Sequence, residues 1–361
     1  MGFRISETPV FLPAPLIEKM ARYGKELYGQ LASNRRYRDA ASNAIPPEFR
    51  VPNEAADPLF VQADFGLVRE ADGSLEPKLV EIQGFPSIYA FQCALAETYR
   101  DVYGLDPGLR TLLGGLTSES YRELLRRAIV GEHAPENVVL LEIDPYRQKT
   151  SADFLLTQEW TGIRIADVSK VEKRGRKLFL DGIPIERIYN RVIVDELVRN
   201  RVPMAFSFAD DLEVEWAGHP NWFFLLSKFS MPWFDHVSVP RCCLLSDLGE
   251  LPENLDEYVL KPLYSFAGLG VKIGPSGEEI DAIAPEERSS YILQRKMNFV
   301  PTVETPSGMT KAEIRVMYIF DGELKPVTTI LRTGRGKMMG VDFNKDLDWV
   351  GASAGFMSDW E

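Results

Sequence analysis

The sequence has no long hydrophobic run. No stretch reaches the about 18 uncharged apolar residues that a membrane span needs, so no membrane partner is expected. The opening, MGFRISETPVFLP, lacks a continuous apolar segment and a signal-peptide cleavage pattern. Cysteine is scarce: Cys93, Cys242 and Cys243 form neither a disulfide framework nor a metal spacing. The adjacent pair reads as strand filler, and a reducing, cytoplasmic setting fits. The three histidines, His133, His219 and His236, are too dispersed for a zinc signature. Positive charge is in deficit. Lys and Arg number 41 against 53 Asp and Glu, a net charge of −12, which argues against nonspecific nucleic-acid binding but leaves room for a local basic pocket. There is no Gly-Lys-Ser/Thr phosphate loop and no G-x-G-x-x-G fingerprint.

What remains is ordinary for a globular protein: 361 residues, 45% hydrophobic and 26% charged, enough for two or three subdomains. Periodicity predicts helices over 16–31, 88–103, 118–129 and 149–160. Asn43–Asn53, with three prolines, predicts a loop, and Ile5–Pro15 reads as irregular. Alternating runs around Asp72-Gly73 and Asp321-Gly322 predict two hairpins, 60–82 and 312–331. Val138–Ile143 is a nearly continuous apolar run, which predicts a buried parallel strand.

The most informative stretch is Tyr258–Ile273, YVLKPLYSFAGLGVKI. It reads as strand, glycine loop, strand. Gly268 and Gly270 would let backbone N–H groups crowd around phosphate oxygens, with Ser265 beside them. Lys261 would leave the first strand within reach of an α- or β-phosphate. The plain alternative is a hairpin turn with a surface lysine.

On the hairpin over 60–82, Asp64 lies on the first strand. Glu81 and Gln83, two apart on the second, share a face. Two acids and an amide on neighbouring strands suit Mg²⁺, which takes a few hard oxygens from protein and the rest from water and phosphate. A solvated hairpin face is the bland alternative. Tyr146, Arg147 and Lys149 follow the buried strand at 138–143, where open sheets bind ligands. Arg147 and Lys149 are therefore candidates for a substrate carboxylate. Arg191, after a further strand, is another. Each is equally well read as a surface charge or interdomain ion pair. In AEIRVMYI, Glu313 and Arg315 fall on one face. Arg332 opens RTGRGK, a basic glycine-containing loop with Arg335 and Lys337 that would close over phosphates or an anionic substrate. Arg332, Arg315 and Arg191 are the catalytic candidates, against surface pairing of Arg315 with Glu313, a plain surface loop for Arg332, and a surface charge or interdomain ion pair for Arg191.

These stretches together resemble the ATP-grasp superfamily. Lys261-Pro262, the glycine loop and the following strand look like its nucleotide-clamping hairpin. Phe60–Phe65, Leu79–Ser87 and Leu226–Pro232 look like the glutathionylspermidine synthase-like branch, whose order is circularly permuted. The resemblance extends over most of the chain. It implies an α/β (α+β) ATP-grasp fold with an inserted pre-ATP-grasp-like subdomain: 1–130 joining the core and carrying the metal hairpin, 131–215 the insert, 216–361 the nucleotide clamp. It implies ATP and Mg²⁺ (or Mn²⁺) as cofactors, with metal ligands at Asp64, Glu81 and Gln83. Lys228 is carried over as an ATP contact, because Ser227-Lys228 matches a Ser-Asn-Lys segment without its Asn. Gln294 and Lys296 would border the adenine pocket, and Ser87 matches a substrate-side turn. Two places depart from the pattern. Gln83 replaces an Asn, and Gln62 replaces a basic residue that orients an acyl phosphate, which points away from glutathione as substrate. Asp342 and Asn344 stand where standard-order enzymes hold metal, and rank behind the first hairpin here.

The implied activity is an ATP-dependent carboxylate–amine or carboxylate–thiol ligase acting through an acyl phosphate. Its partners would be a small-molecule or peptide carboxylate and an amine or thiol acceptor. A non-catalytic nucleotide-binding protein on the same scaffold, favoured by Gln62 and Gln83, and a small-molecule kinase are the alternatives.

Overall fold

The computed structural model describes residues 2–265, 268–336, 338–339, 344 and 346–358. Its largest sheet joins chain segments that are far apart in sequence. The strands are β1 (Val10–Pro13), β2 (Phe60–Arg69), β3 (Leu75–Gln83), β15 (Pro301–Val303), β16 (Thr310–Phe320), β17 (Leu324–Gly334) and β18 (Gly351–Ser358). Their order is β1-β18-β17-β16-β2-β3, with β15 paired to the start of β16. Both predicted hairpins are present, β2–β3 and β16–β17, and they pair with each other through β16 and β2. The register sets Arg315 opposite Asp64, and Asp64 opposite Glu81.

Alternation along β16 decides which face is core. Ile314, Val316 and Tyr318 pack beneath α1 (Ala14–Ser33), whose buried stripe includes Ile17, Met20, Leu27 and Leu31. Gly24 of α1 is required there, because a Cβ would overlap the Tyr318 ring, whose hydroxyl donates to the Ala21 carbonyl at 3.0 Å. On the opposite face, Met317 and Ile319 pack with buried residues of α3 (Tyr89–Tyr103) and α4 (Ser118–Val130). Glu313 and Arg315, on that same second face nearer the strand's start, line a cavity instead.

A second sheet is parallel: β4 (Val138–Glu142), β5 (Arg164–Asp167), β9 (Arg187–Asn190) and β10 (Glu215–Ala217), in the order β10-β9-β4-β5. Val138–Leu141 is fully buried, as an apolar run between two layers requires. Helix α5 (Ser151–Thr161) makes the β4-to-β5 crossover. Here β6 (Glu172–Arg174), β7 (Lys177–Leu180) and β8 (Ile183–Ile185) form a separate meander. The last sheet is small and antiparallel: β11 (Cys242–Leu244), β12 (Tyr258–Pro262), β13 (Lys272–Ile273) and β14 (Tyr291–Arg295), ordered β11-β14-β12-β13. It carries its own core of Leu245, Leu260, Ile280 and Leu293.

One element differs from the sequence reading. Val10–Pro13, expected to be irregular, is a strand parallel to β18, which is itself buried along its length. Trp222–Leu225 forms one short helical turn, followed by a 3-10 segment, Lys228–Trp233, which contains Pro232. Among the described residues no helix is long and apolar enough to cross a membrane.

Candidate active site

A cavity of about 1020 Å³ opens between the small sheet and the large one. Val259 and Lys261 of β12, Ile273 of β13 and Gln294 of β14 form one wall, continued by residues 295–299. Glu81 and Gln83 of β3, Lys311, Glu313 and Arg315 of β16, and Ile330 and Arg332 of β17 form the facing wall. The third wall comes from the carboxyl ends of β4 and β9, with Lys149, Thr150, Arg191 and Ile193, together with Phe85 to Ile88 and Phe3. Basic residues outnumber acidic ones nine to three in the lining, although the whole chain is acidic. A cationic pocket in an anionic protein attracts a polyanion.

The charges are held in register by the sheets. Asp64 is 1% exposed and sits behind the surface of the pocket. Arg315 donates from Nε to Asp64 Oδ1 at 2.5 Å and from Nη2 to Oδ2 at 2.6 Å. Arg332 Nη2 donates to the same Oδ2 at 2.5 Å and pairs with Glu313 Oε1 at 2.6 Å. Gln62, buried on β2, is a hub. Its Oε1 accepts from Arg315 Nη1 at 2.9 Å and Gln83 Nε2 at 2.8 Å, while its Nε2 donates to the Phe85 carbonyl at 3.0 Å. The residue read from sequence as a loss thus positions an arginine and an amide.

Two lysines tie the small sheet and its approach to β3. Lys261 Nζ donates to the Val80 carbonyl at 3.1 Å, and Lys228 Nζ lies 3.2 Å from Glu81 and donates to the Ser265 carbonyl at 2.6 Å. Burial alone would raise the Glu81 carboxyl, but Lys228 first, then Arg315, Lys261 and Arg332, hold it down at about 2. Burial lowers Lys261, against the pull of Glu81. Burial raises Glu313 in spite of Arg332. Arg315 is raised, because Asp64 outweighs the cost of its burial.

Of the sequence candidates, Lys228, Lys261, Ser265, Gly268, Gln294, Lys296, Ser87, Lys149, Arg191, Glu81, Gln83, Arg315 and Arg332 all line the cavity. Gly270 does not line it but has φ +73°, and a Cβ there would meet Pro262 at 2.9 Å. Arg147 stays outside, its side chain 87% exposed near Asp144, because the 3-10 turn after β4 points it to solvent. Arg335 is also outside the lining, donating to the Asp348 carbonyl at 2.7 Å. Asn344 Oδ1 accepts from the backbone N–H groups of Arg335 and Gly336, a loop-holding arrangement. Asp342 and Lys337 lie outside the described residues.

The expected metal hairpin is only partly open. Both oxygens of Asp64 are taken by guanidinium groups, and no group of three His, Cys, Asp or Glu side chains among the described residues is arranged to hold a metal. Glu81 and Gln83, which face the cavity, fit an ion that arrives with phosphates and takes its other ligands from them and from water.

Sequence reasoning passed over Glu313 as a partner of Arg332. It also missed Phe299, which lines the cavity and packs so closely on β2 that a Cβ on Gly66 would overlap its ring. The signal for the second was available: glycine inside a strand marks the close approach of another group.

No family model matches the chain, and no curated protein matches it by sequence. Among solved structures it is similar to a glutathione synthetase-like effector from Globodera pallida, in its apo form. The TM-score is 0.60 over 99% of this chain and 90% of that one, at 11% sequence identity. The two chains share a fold. At that identity the likeness concerns the scaffold, which in this chain brackets the cationic cavity between the small antiparallel sheet and the large mixed one.

Proposed function

We propose that the protein is an ATP-dependent carboxylate–amine or carboxylate–thiol ligase with a circularly permuted ATP-grasp order. The observation that carries this reading is the basic cavity between the small and large sheets of an otherwise acidic chain. Residues 216–361 would form the nucleotide clamp, residues 131–215 the acid-facing insert, and residues 1–130 the hairpin that returns to the core. Lys261, Lys228 and the glycine loop would hold the phosphates, with Gln294, Lys296 and the segment through Phe299 around the base. Mg²⁺, when bound, would neutralise phosphate charge beside Glu81 and Gln83.

A substrate carboxylate oxygen attacks the γ-phosphorus, the bond to the β-phosphate oxygen breaks, and ADP leaves. Arg315 and Arg332, oriented by Asp64, Glu313 and Gln62, would stabilise the negative charge that builds on the transferred group. The acceptor amine or thiol then attacks the acyl carbon. Phosphate departs, and the acceptor's proton passes to phosphate or solvent.

The test is ADP release measured against panels of acids and acceptors. Release that needs both a carboxylate and an amine or thiol supports ligation, whereas a stable phosphorylated alcohol would favour a kinase. A second reading, nucleotide binding without turnover, is favoured by the closed Asp64–Arg315–Arg332 cluster. ATP binding with no ADP across the panel would select it.

A further inference from the structure

The wall at the carboxyl ends of β4 and β9 differs from the other two in its charge. The acids lining the cavity, Glu81, Asp256 and Glu313, all belong to the other walls. This wall presents Lys149 and Arg191 and no described acid. Arg191 is 6% exposed, and its Nη1 donates to the carbonyls of Pro86 and Ser87, which are neutral. Its Nε is buried with no hydrogen-bond partner. Its guanidinium lies 5.6 Å from the Phe85 ring centre and 5.4 Å from that of Phe154. No carboxylate of the described residues lies in ion-pair contact with it, in contrast to Arg315 and Arg332.

Neither of the two acids behind Arg191 is in ion-pair contact with it. Burial raises Glu142 to about 8. Asp153, raised by burial against the pull of Arg191 to about 6, accepts from the Phe91 backbone N–H at 2.9 Å. A buried guanidinium without a contact anion is costly unless a ligand supplies one. Arginine takes a carboxylate through paired N–H donors. Phe3, Phe85, Ile88 and Ile193 on the same wall offer apolar surface to the body of such a ligand.

We propose that this wall binds a second carboxylate of the acid substrate, so that the substrates are dicarboxylic acids or peptides with a free acidic end. The inference rests on the ligase reading and names the substrate class of the same cavity. One carboxylate is activated beside Arg315 and Arg332, and the other is anchored at Arg191 and Lys149.

Calorimetric titration of the full chain decides it, with and without a non-hydrolysable ATP analogue. The probes are the dicarboxylates from succinate to pimelate, monocarboxylates of matched length, and 4-phosphonobutyrate. At least one dicarboxylate should bind roughly 10- to 100-fold more tightly than its matched monoacid, the worth of one charge-assisted contact. Arg191→Met should remove that preference, Arg191→Lys should retain part of it, and monoacid affinity should stay the same. Should Arg191→Met melt without cooperativity, Arg191→Lys and the exposed Lys149→Met carry the test, each expected to weaken the preference severalfold. Equal binding of diacids and monoacids by the wild type overturns the proposal, as does a preference that survives all three substitutions. Tight binding of the phosphonate alone overturns the carboxylate assignment. Failure of the ATP analogue to bind would count against the ligase reading, while the titrations without nucleotide still decide this one.

Discussion

Replacing Asp64 with asparagine separates two accounts of the charged cluster by the sign of its effect. Asp64 is 1% exposed, and the side chains of Arg315 and Arg332 are 11% and 23% exposed. Asparagine keeps one oxygen acceptor but puts an amide N–H against a guanidinium and removes the charge. Arg332 retains Glu313 at 2.6 Å, whereas Arg315 is left with Gln62 and with Glu81 at 3.9 Å. Breaking a buried ion pair from one side costs about 3–5 kcal/mol, and the surviving Glu313 contact places Asp64→Asn near about 3 kcal/mol. At roughly 2 °C per kcal/mol for a chain of this size or somewhat smaller, the melting temperature should fall by about 6 °C. Tripolyphosphate, which brings negative charge back to the arginines, should raise the melting temperature of the variant more than that of the wild type. The assay is a thermal melt of both proteins with and without that anion. If Asp64 were instead an open metal ligand repelled by neighbouring acids, losing its charge would stabilise the ligand-free protein. An unchanged or raised melting temperature without ligand refutes the clamped-carboxylate account.

Two further substitutions probe the walls. Asp153 has its carboxyl raised by burial from 3.8 to about 6. The folded state therefore holds more protons than the unfolded one between those values, and this group's contribution to stability falls as pH rises through that window. Above it the cost is about 3 kcal/mol, so Asp153→Asn, which keeps the acceptor for the Phe91 N–H, should be up to about that much more stable than wild type at pH 7 and no more stable near pH 4. Urea unfolding at both pH values checks it, and an equal difference at both contradicts it. Gly66→Ala should cost about 1–3 kcal/mol by overpacking against Phe299 and should also weaken binding of an ATP analogue. Unchanged melting and affinity would show that Phe299 yields freely.

Local pattern revealed much of the scaffold and less of the site. Asp72-Gly73 and Asp321-Gly322 mark the two hairpins because turn chemistry is local, and Val138–Leu141 declares its burial by composition. Strands β1 and β18 were less legible, since a short Pro-flanked run and an Ala/Gly run become strands only by pairing with each other and with β17. The residue types at Asp64, Glu81, Arg315 and Arg332 pointed to a charged site. Which acid meets which base depends on register across strands as much as 268 residues apart. The sequence reading therefore left Asp64 as an open ligand and Arg315 as a possible partner of Glu313, where the sheet gives Asp64 to both arginines and Glu313 to Arg332. Gln62 looked like a missing base because its hydrogen bonds reach a different strand and a loop.

The central claim is that a nucleoside triphosphate binds between the small sheet and the large one. Titrating wild type and Lys261→Ala with a non-hydrolysable ATP analogue and magnesium tests it most directly. Lys261 lines the cavity and joins the two sheets through the Val80 carbonyl. Its buried ammonium, whose pKa burial lowers, is costly to the ligand-free fold. The account predicts one-to-one binding by the wild type, a roughly 10- to 100-fold loss in Lys261→Ala, as for a charge-assisted contact, and little change in the melting temperature without nucleotide. Equal affinity of the two proteins, or no binding by either, would contradict it.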